Sequence, residues 1–310
     1  MYLKKFSCLF SFVLLLVCLC ILNAPALAVT ITLTAPDTVG QSSFNSGLHW
    51  SDLLPPSTGN DYEVSINQLR TPPDGGTYTF GGDSLKINTG GILMYKGTGT
   101  TGSITIANLI GNGGSVIDHR NGSGDICNLY GNISVVADSV MYAKQGPINV
   151  YSAISGSSMI TNTGSDGAGR TLTFYSSANT FTGSIVNNGR FALADNALLN
   201  FVIGASGVNN SVSGTGAETI FNGDFNFDLT GAGTTLGDSW AVVSSTAKTF
   251  SDTFSINGFH EVGSLGFWND SANGVVYQFS ESGGTLTVVP EPATMVLLGL
   301  GSLALLRRRK

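Results

Sequence analysis

The residues best suited to chemistry in this chain are acids, and they are scattered. Asp118-His119-Arg120 is the tightest cluster. On a strand, successive side chains face opposite sides, so Asp118 and Arg120 would share a face while His119 points away. Acids beside a basic residue on a groove-facing sheet are what a polysaccharide lyase or hydrolase needs, for proton transfer or around a calcium ion. A surface ion pair on a turn explains the same residues, because Asn121-Gly122 follows at once. Asp52, Asp61 and Glu63 form a second acidic group around Leu54-Pro55-Pro56. They read as an N-terminal loop leading into the first coils, without the ligand spacing of a calcium loop. His49, His119 and His260 have no partner at metal-binding spacing. Cys127 is the one cysteine after Ala28, and its neighbours Asp125 to Leu129 read as strand, so a buried structural thiol is expected there rather than a nucleophile. There is no Gly-x-Ser-x-Gly elbow and no His-Glu-x-x-His; Gly111-Asn-Gly-Gly114 lacks the Lys and the following helix of a phosphate cradle. The expectation is a protein without catalytic, metal or cofactor-binding residues and without a cofactor. The alternative is a polysaccharide-active lyase or hydrolase centred on Asp118.

The two ends carry more specific information. Lys4 and Lys5 precede an apolar run from Leu9 to Leu22 and a small-residue exit at Ala26-Leu27-Ala28. This order predicts a secretory signal peptide over 1–28, cleaved after Ala28 with Ala26 and Ala28 forming the site. At the other end, Val289-Pro290-Glu291-Pro292 leads into an apolar stretch from Ala293 to Leu306, closed by Arg307, Arg308, Arg309 and Lys310. The prolines fix φ and remove donors, so a helix starts no earlier than about Ala293. Fourteen residues at about 1.5 Å each reach only about 21 Å, short of a hydrocarbon core of about 30 Å. Such a segment suits transient insertion better than permanent anchoring, with the basic cluster held on the cytoplasmic side.

These C-terminal residues resemble the PEP-CTERM sorting signal. The resemblance implies that Pro290, Glu291, Pro292, Arg307, Arg308 and Arg309 are read by an exosortase, a membrane-resident protease. That enzyme would cut near Pro290 to Pro292 and release the body to the cell surface or extracellular matrix. An ordinary short membrane anchor is the competing reading of the same residues.

Between the ends, apolar residues alternate with polar ones over short stretches closed by Gly or Asn. Val29-Thr-Ile31-Thr-Leu33 is the clearest case; Leu85 with Ile87, Ile104 with Ile106, Ile133 with Val135, Ile148 with Val150, Leu172 with Phe174 and Phe191 with Leu193 repeat it. Gly102-Ser-Ile104-Thr-Ile106, Gly131-Asn-Ile133-Ser-Val135 and Gly146-Pro-Ile148-Asn-Val150 share one degenerate unit. The spacing fits a solenoid of about 20 to 25 residues per turn. Asn-Gly pairs such as those at Asn121, Asn188, Asn222, Asn257 and Asn273 also suit hairpins, so a β-sandwich is the alternative. The segment Asn179-Thr-Phe181-Thr-Gly183-Ser-Ile185-Val-Asn187-Asn-Gly189-Arg-Phe191-Ala-Leu193 resembles the autotransporter-associated β-strand repeat. By that resemblance the body is an all-β, right-handed parallel β-helix on a secreted protein.

The expected organisation is a signal peptide over 1–28, a β-helix body over 29–220, an aromatic-rich antiparallel β cap over 221–289 and the sorting tail over 290–310. The aromatic residues of the cap also suit a carbohydrate-binding face. From Val29 to Val289 there are 8 basic and 19 acidic residues, a net charge of −11. That balance excludes a footprint for nucleic acid or anionic lipid. The function expected is an exported, non-catalytic surface or matrix protein with extracellular polysaccharide as its partner.

Overall fold

The computed structural model describes residues 29–291, except 98, 100, 121–124, 165, 166, 168 and 264. The expected signal peptide with Ala26 and Ala28, the tail from Pro292 through Arg307, Arg308 and Arg309, and the Asn121-Gly122 turn lie outside the described residues.

The described chain is all-β and forms a parallel solenoid of about seven turns, followed by an antiparallel sheet. The β-sandwich alternative is excluded, because the pairing between successive turns is parallel throughout the solenoid. One long sheet of twelve strands runs from Val29–Thr32 to Lys248–Phe250, and a seven-stranded sheet lies from Gln68–Arg70 to Val212–Ser213. A three-stranded parallel sheet, Leu198–Val202, Asp224–Asp228 and Ser255–Ile256, completes the last turns.

Alternation dictates which side chains enter the core. Leu85, Ile87, Ile104, Leu129, Val150, Leu172, Phe174, Phe191 and Leu193 are buried and stack on their equivalents one turn away. Outward-facing neighbours are polar and bond along the axis, as between Asn149 Nδ2 and Asn128 Oδ1 at 3.0 Å and between Asn112 Nδ2 and Asn88 Oδ1 at 2.7 Å. Turn length is less even than the sequence spacing suggests. Phe174 pairs with Leu193, 19 residues on, whereas Val29 pairs with Asn60, 31 residues on. The first turn is longer because it carries a closing loop.

That loop seals the N-terminal end. Trp50 packs edge-on against Tyr62 at 4.8 Å and donates its indole N–H to the Ser43 carbonyl at 2.7 Å. Buried Asp37 accepts from the backbone N–H groups of Ser43 and Arg70 at 2.8 and 2.9 Å. Ser51 N–H bonds the Thr32 carbonyl and Thr34 N–H the His49 carbonyl, so the loop covers the edge at the end of the first strand, around the Leu33–Trp50 bridge. A covered edge does not template further pairing.

At the other end, parallel pairing continues past Phe221 to Phe250 and Ile256. The antiparallel sheet, in the order Ser239–Ala241, Thr285–Val289, Val275–Ser280, Phe267–Ala272, His260–Glu261, is therefore interleaved with the final turn. Phe225, Phe250, Phe254 and Phe279 meet at ring distances of 4.7 to 6.3 Å. The aromatic residues of this region form a core that closes the solenoid, not an open carbohydrate face. Asn273-Gly274 is a true hairpin turn, with φ of 54° and 78° as a type I′ turn requires.

Candidate functional site

The residues singled out for catalysis do not converge. The strand Ser115–Asp118 breaks the expected alternation, because register shifts against both neighbouring strands mark a bulge there. Val116, Ile117 and Asp118 are consequently all buried, and His119 follows them into the interior. His119 does not point away from Asp118 to the outside, and the pair is not a surface feature. Asp118 Oδ2 accepts from Arg120 Nε at 2.6 Å and from Arg120 Nη2, while the guanidinium stands 5.5 Å from the Tyr142 ring centre. Arg120 lines a shallow groove of about 340 Å³ with Ser115, Val140 and Tyr142, and no carboxylate lines it. Asp118 is thus a buried anchor for Arg120.

His119 is packed edge-on against Tyr95 at 5.0 Å, with Nε2 at 3.6 Å from Asp125 Oδ2. Burial pushes its pKa below the ordinary histidine value, despite the opposing pull of the Asp125 carboxylate. The folded state therefore holds His119 neutral at pH values where the unfolded chain binds a proton, and stability falls as pH drops below about 6.5. The thermal midpoint of the wild-type body should drop further between pH 7.5 and 5 than that of His119→Gln. Equal drops would show that His119 does not contribute to the acid sensitivity.

Asp61 and Glu63 lie on the strand Asn60–Val64, not in a loop, because alternation places Tyr62 and Val64 in the core. Their carboxylates serve the next turn: Asp61 accepts from Ser84 Oγ at 2.5 Å, and Glu63 pairs with Lys86 at 3.2 Å. Asp52 caps the Leu54 N–H at 3.1 Å. His49 contacts Gln41, and His260 sits on an exposed edge strand. Among the described residues no group of three His, Cys, Asp or Glu could hold a metal ion. Cys127 is fully buried and its thiol pKa is pushed well up by desolvation, as expected of a structural thiol.

The surface offers a different feature. Tyr130, Tyr151 and Tyr175 occupy equivalent positions on three successive turns, each directly after an inward-facing residue, Leu129, Val150 or Phe174. Their rings stack with centres 4.9 and 4.6 Å apart and planes 8° and 20° from parallel. That separation is the spacing between paired strands, so the backbone alone brings the rings face to face. Each residue keeps 38 to 39% of its surface exposed. Asn128, Asn149 and Thr173 stand two residues earlier on the same face. Thr105 lies beside Tyr130 on one side, and Ala194 follows Tyr175 on the other, so the stack holds three rings. Burial between its neighbours raises the Tyr151 pKa, which keeps the phenol a neutral donor and acceptor. The arrangement is a ridge: apolar ring edges, a row of hydroxyls, and a parallel row of amide and hydroxyl groups. Sequence reading missed it, although the spacings of 21 and 24 residues between the tyrosines match the turn length.

The third functional element is the exit of the chain. The strand Thr285–Val289 is paired on both sides, with Ser239–Ala241 and Val275–Ser280, and is followed immediately by exposed Pro290 and Glu291. Residues 288–310 match the model of the PEP-CTERM protein-sorting motif. The chain carries an exosortase sorting motif. The motif marks an exported, cell-surface protein recognised by an exosortase. Of the residues expected to carry the signal, Pro290 and Glu291 stand at the end of the fold. No curated protein and no solved structure matched the chain.

Proposed function

We propose that this protein is a non-catalytic surface or extracellular-matrix component that reaches its destination through exosortase processing and binds extracellular polysaccharide along its tyrosine ridge. The stacked Tyr130-Tyr151-Tyr175 ladder carries the reading. Exposed aromatic rings give apolar contact at low entropic cost while their hydroxyls bond polar partners, a combination suited to sugars. The Asn128-Asn149-Thr173 row supplies further donors and acceptors within reach of a chain lying along the solenoid axis. A non-catalytic role is supported by the placement of the acids: Asp118 and Asp125 are buried, and Asp61 and Glu63 are engaged between turns.

The test is retention of the Val29 to Val289 body on a panel of immobilised polysaccharides, with reducing and unsaturated ends assayed in parallel. Binding without end release is expected. Tyr151→Ala should weaken retention about tenfold, the equivalent of about 1.4 kcal/mol, while Tyr151→Phe, which keeps the stack, should lose less. Retention unchanged in Tyr151→Ala would place the binding elsewhere. Release of ends would replace this reading with an enzyme.

A further inference from the structure

The fold runs directly into the sorting motif, and this fixes which surface lies nearest a membrane. Gly237 N–H donates to the Val288 carbonyl at 3.0 Å and Val288 N–H to the Asp238 carbonyl at 2.9 Å, so Leu236-Gly237 flanks the exit on one side. Val276 pairs with Val289, which places the Asn273-Gly274 turn and Val275 on the other. Gly207 N–H bonds the Ser239 carbonyl at 3.0 Å and brings Val208 to the same rim. Leu236 is 64% exposed and Val208 61%. Asp238 turns back to accept from Thr235 N–H at 2.9 Å. The opposite end of the sheet is charged, with Lys248, Glu261 and Glu281. Leu236 and Val208 are the exposed aliphatic side chains beside the exit, and they are bordered by the carboxylates of Asp238 and Glu291.

Chain length ties this rim to the bilayer. Only Pro290, Glu291 and Pro292 separate Val289 from Ala293, where the apolar segment begins. Three extended residues span at most about 10 Å. We propose that the rim formed by Leu236 and Val208 is a membrane-contact surface whose partner is the headgroup–acyl boundary of the bilayer, engaged while the tail is inserted. The inference rests on the reading that Ala293 to Leu306 enters a membrane. Exposed aliphatic side chains beside the exit meet lipid at little cost, whereas the end of the sheet with Glu261 and Glu281 would have to desolvate carboxylates. Two aliphatic side chains are too few to hold the body once the tail is cut, so the contact ends with processing.

The chain from Val29 to Lys310 offers a clean test, because buried Cys127 is its only cysteine. A Leu236→Cys variant carrying an environment-sensitive fluorophore is reconstituted with lipid vesicles containing a lipid-borne quencher. The expected result is a blue-shifted emission that the quencher suppresses. The same label at Val39, 89% exposed in the first turn of the solenoid, should keep its aqueous spectrum. Vesicle-bound chain with a Leu236 label as wet as the Val39 label overturns the contact surface alone. Failure of the full chain to float with vesicles overturns tail insertion, and the contact surface with it.

Discussion

Replacing Gly131 with alanine is expected to destabilise the body by roughly 3–5 kcal/mol, near the upper end for single substitutions. Gly131 lies inside the strand Cys127–Ala137 with φ of 105°, where the register against the preceding turn shifts between Ile106 and Asn108. A Cβ there would fall on the Ile106 carbonyl oxygen. That atom belongs to the backbone of the turn below and cannot rotate away, so two turns must separate on either side of the buried Leu129 and Ile133. Urea denaturation of the Val29 to Val289 body measures the effect. Gly207→Ala is the control: its φ of 80° is also positive and unfavourable for alanine, but nothing lies within 4 Å of the added carbon. It should cost only about 1 kcal/mol, the backbone penalty alone. Similar losses in both variants would show that the contact with Ile106 is not what makes Gly131 necessary.

Changing Pro290, Glu291 and Pro292 together to alanine should abolish release of the body from a host that expresses an exosortase. The strand Thr285–Val289 is complete and paired on both sides before Pro290, so the substitution leaves the fold intact and tests recognition alone. Intact mass supplies the measurement: wild-type protein outside the cell should end near Pro290 to Pro292, and the variant should stay with membranes at full tail length. A triple-alanine variant released with the wild-type terminus would refute the assignment of these residues.

Much of this architecture is written in short-range alternation. Pairs such as Ile104 with Ile106 and Phe191 with Leu193 are legible because a strand has only two faces and one of them is core. The Asn179-to-Leu193 segment is legible for a related reason. Asn179 and Asn187 are buried and spend their amides on backbone groups, Asn179 on the distant Ile154 N–H and Leu198 carbonyl, and Asn187 on the local Gly189 N–H and the distant Glu218 carbonyl. Register was not legible. The Gly102, Gly131 and Gly146 units look like one repeat, yet Ile104 falls in one column with Leu129 and Val150 while Ile133 stacks on Leu109 and Ile154. The same local pattern opens strand segments in two different columns, because a glycine followed by alternating aliphatics suits any corner. Bulges were invisible for the same reason, and the one at Ser115–Asp118 decided the fate of Asp118 and His119. The tyrosine ladder needed the register before its members could be recognised as neighbours.

The position of the last strand has a mechanical consequence. Thr285–Val289 is held between two antiparallel partners, and the sorting tail continues from its end. Antiparallel hydrogen bonds lie perpendicular to the strand. Drag on a tethered body therefore pulls along that strand and loads both rows of bonds in shear at once, instead of peeling them apart singly. A terminal strand placed at a sheet edge and pulled sideways would unzip under far less tension. The body is thus clamped at the point where tension on the tail would enter it, and it resists being unravelled from that end.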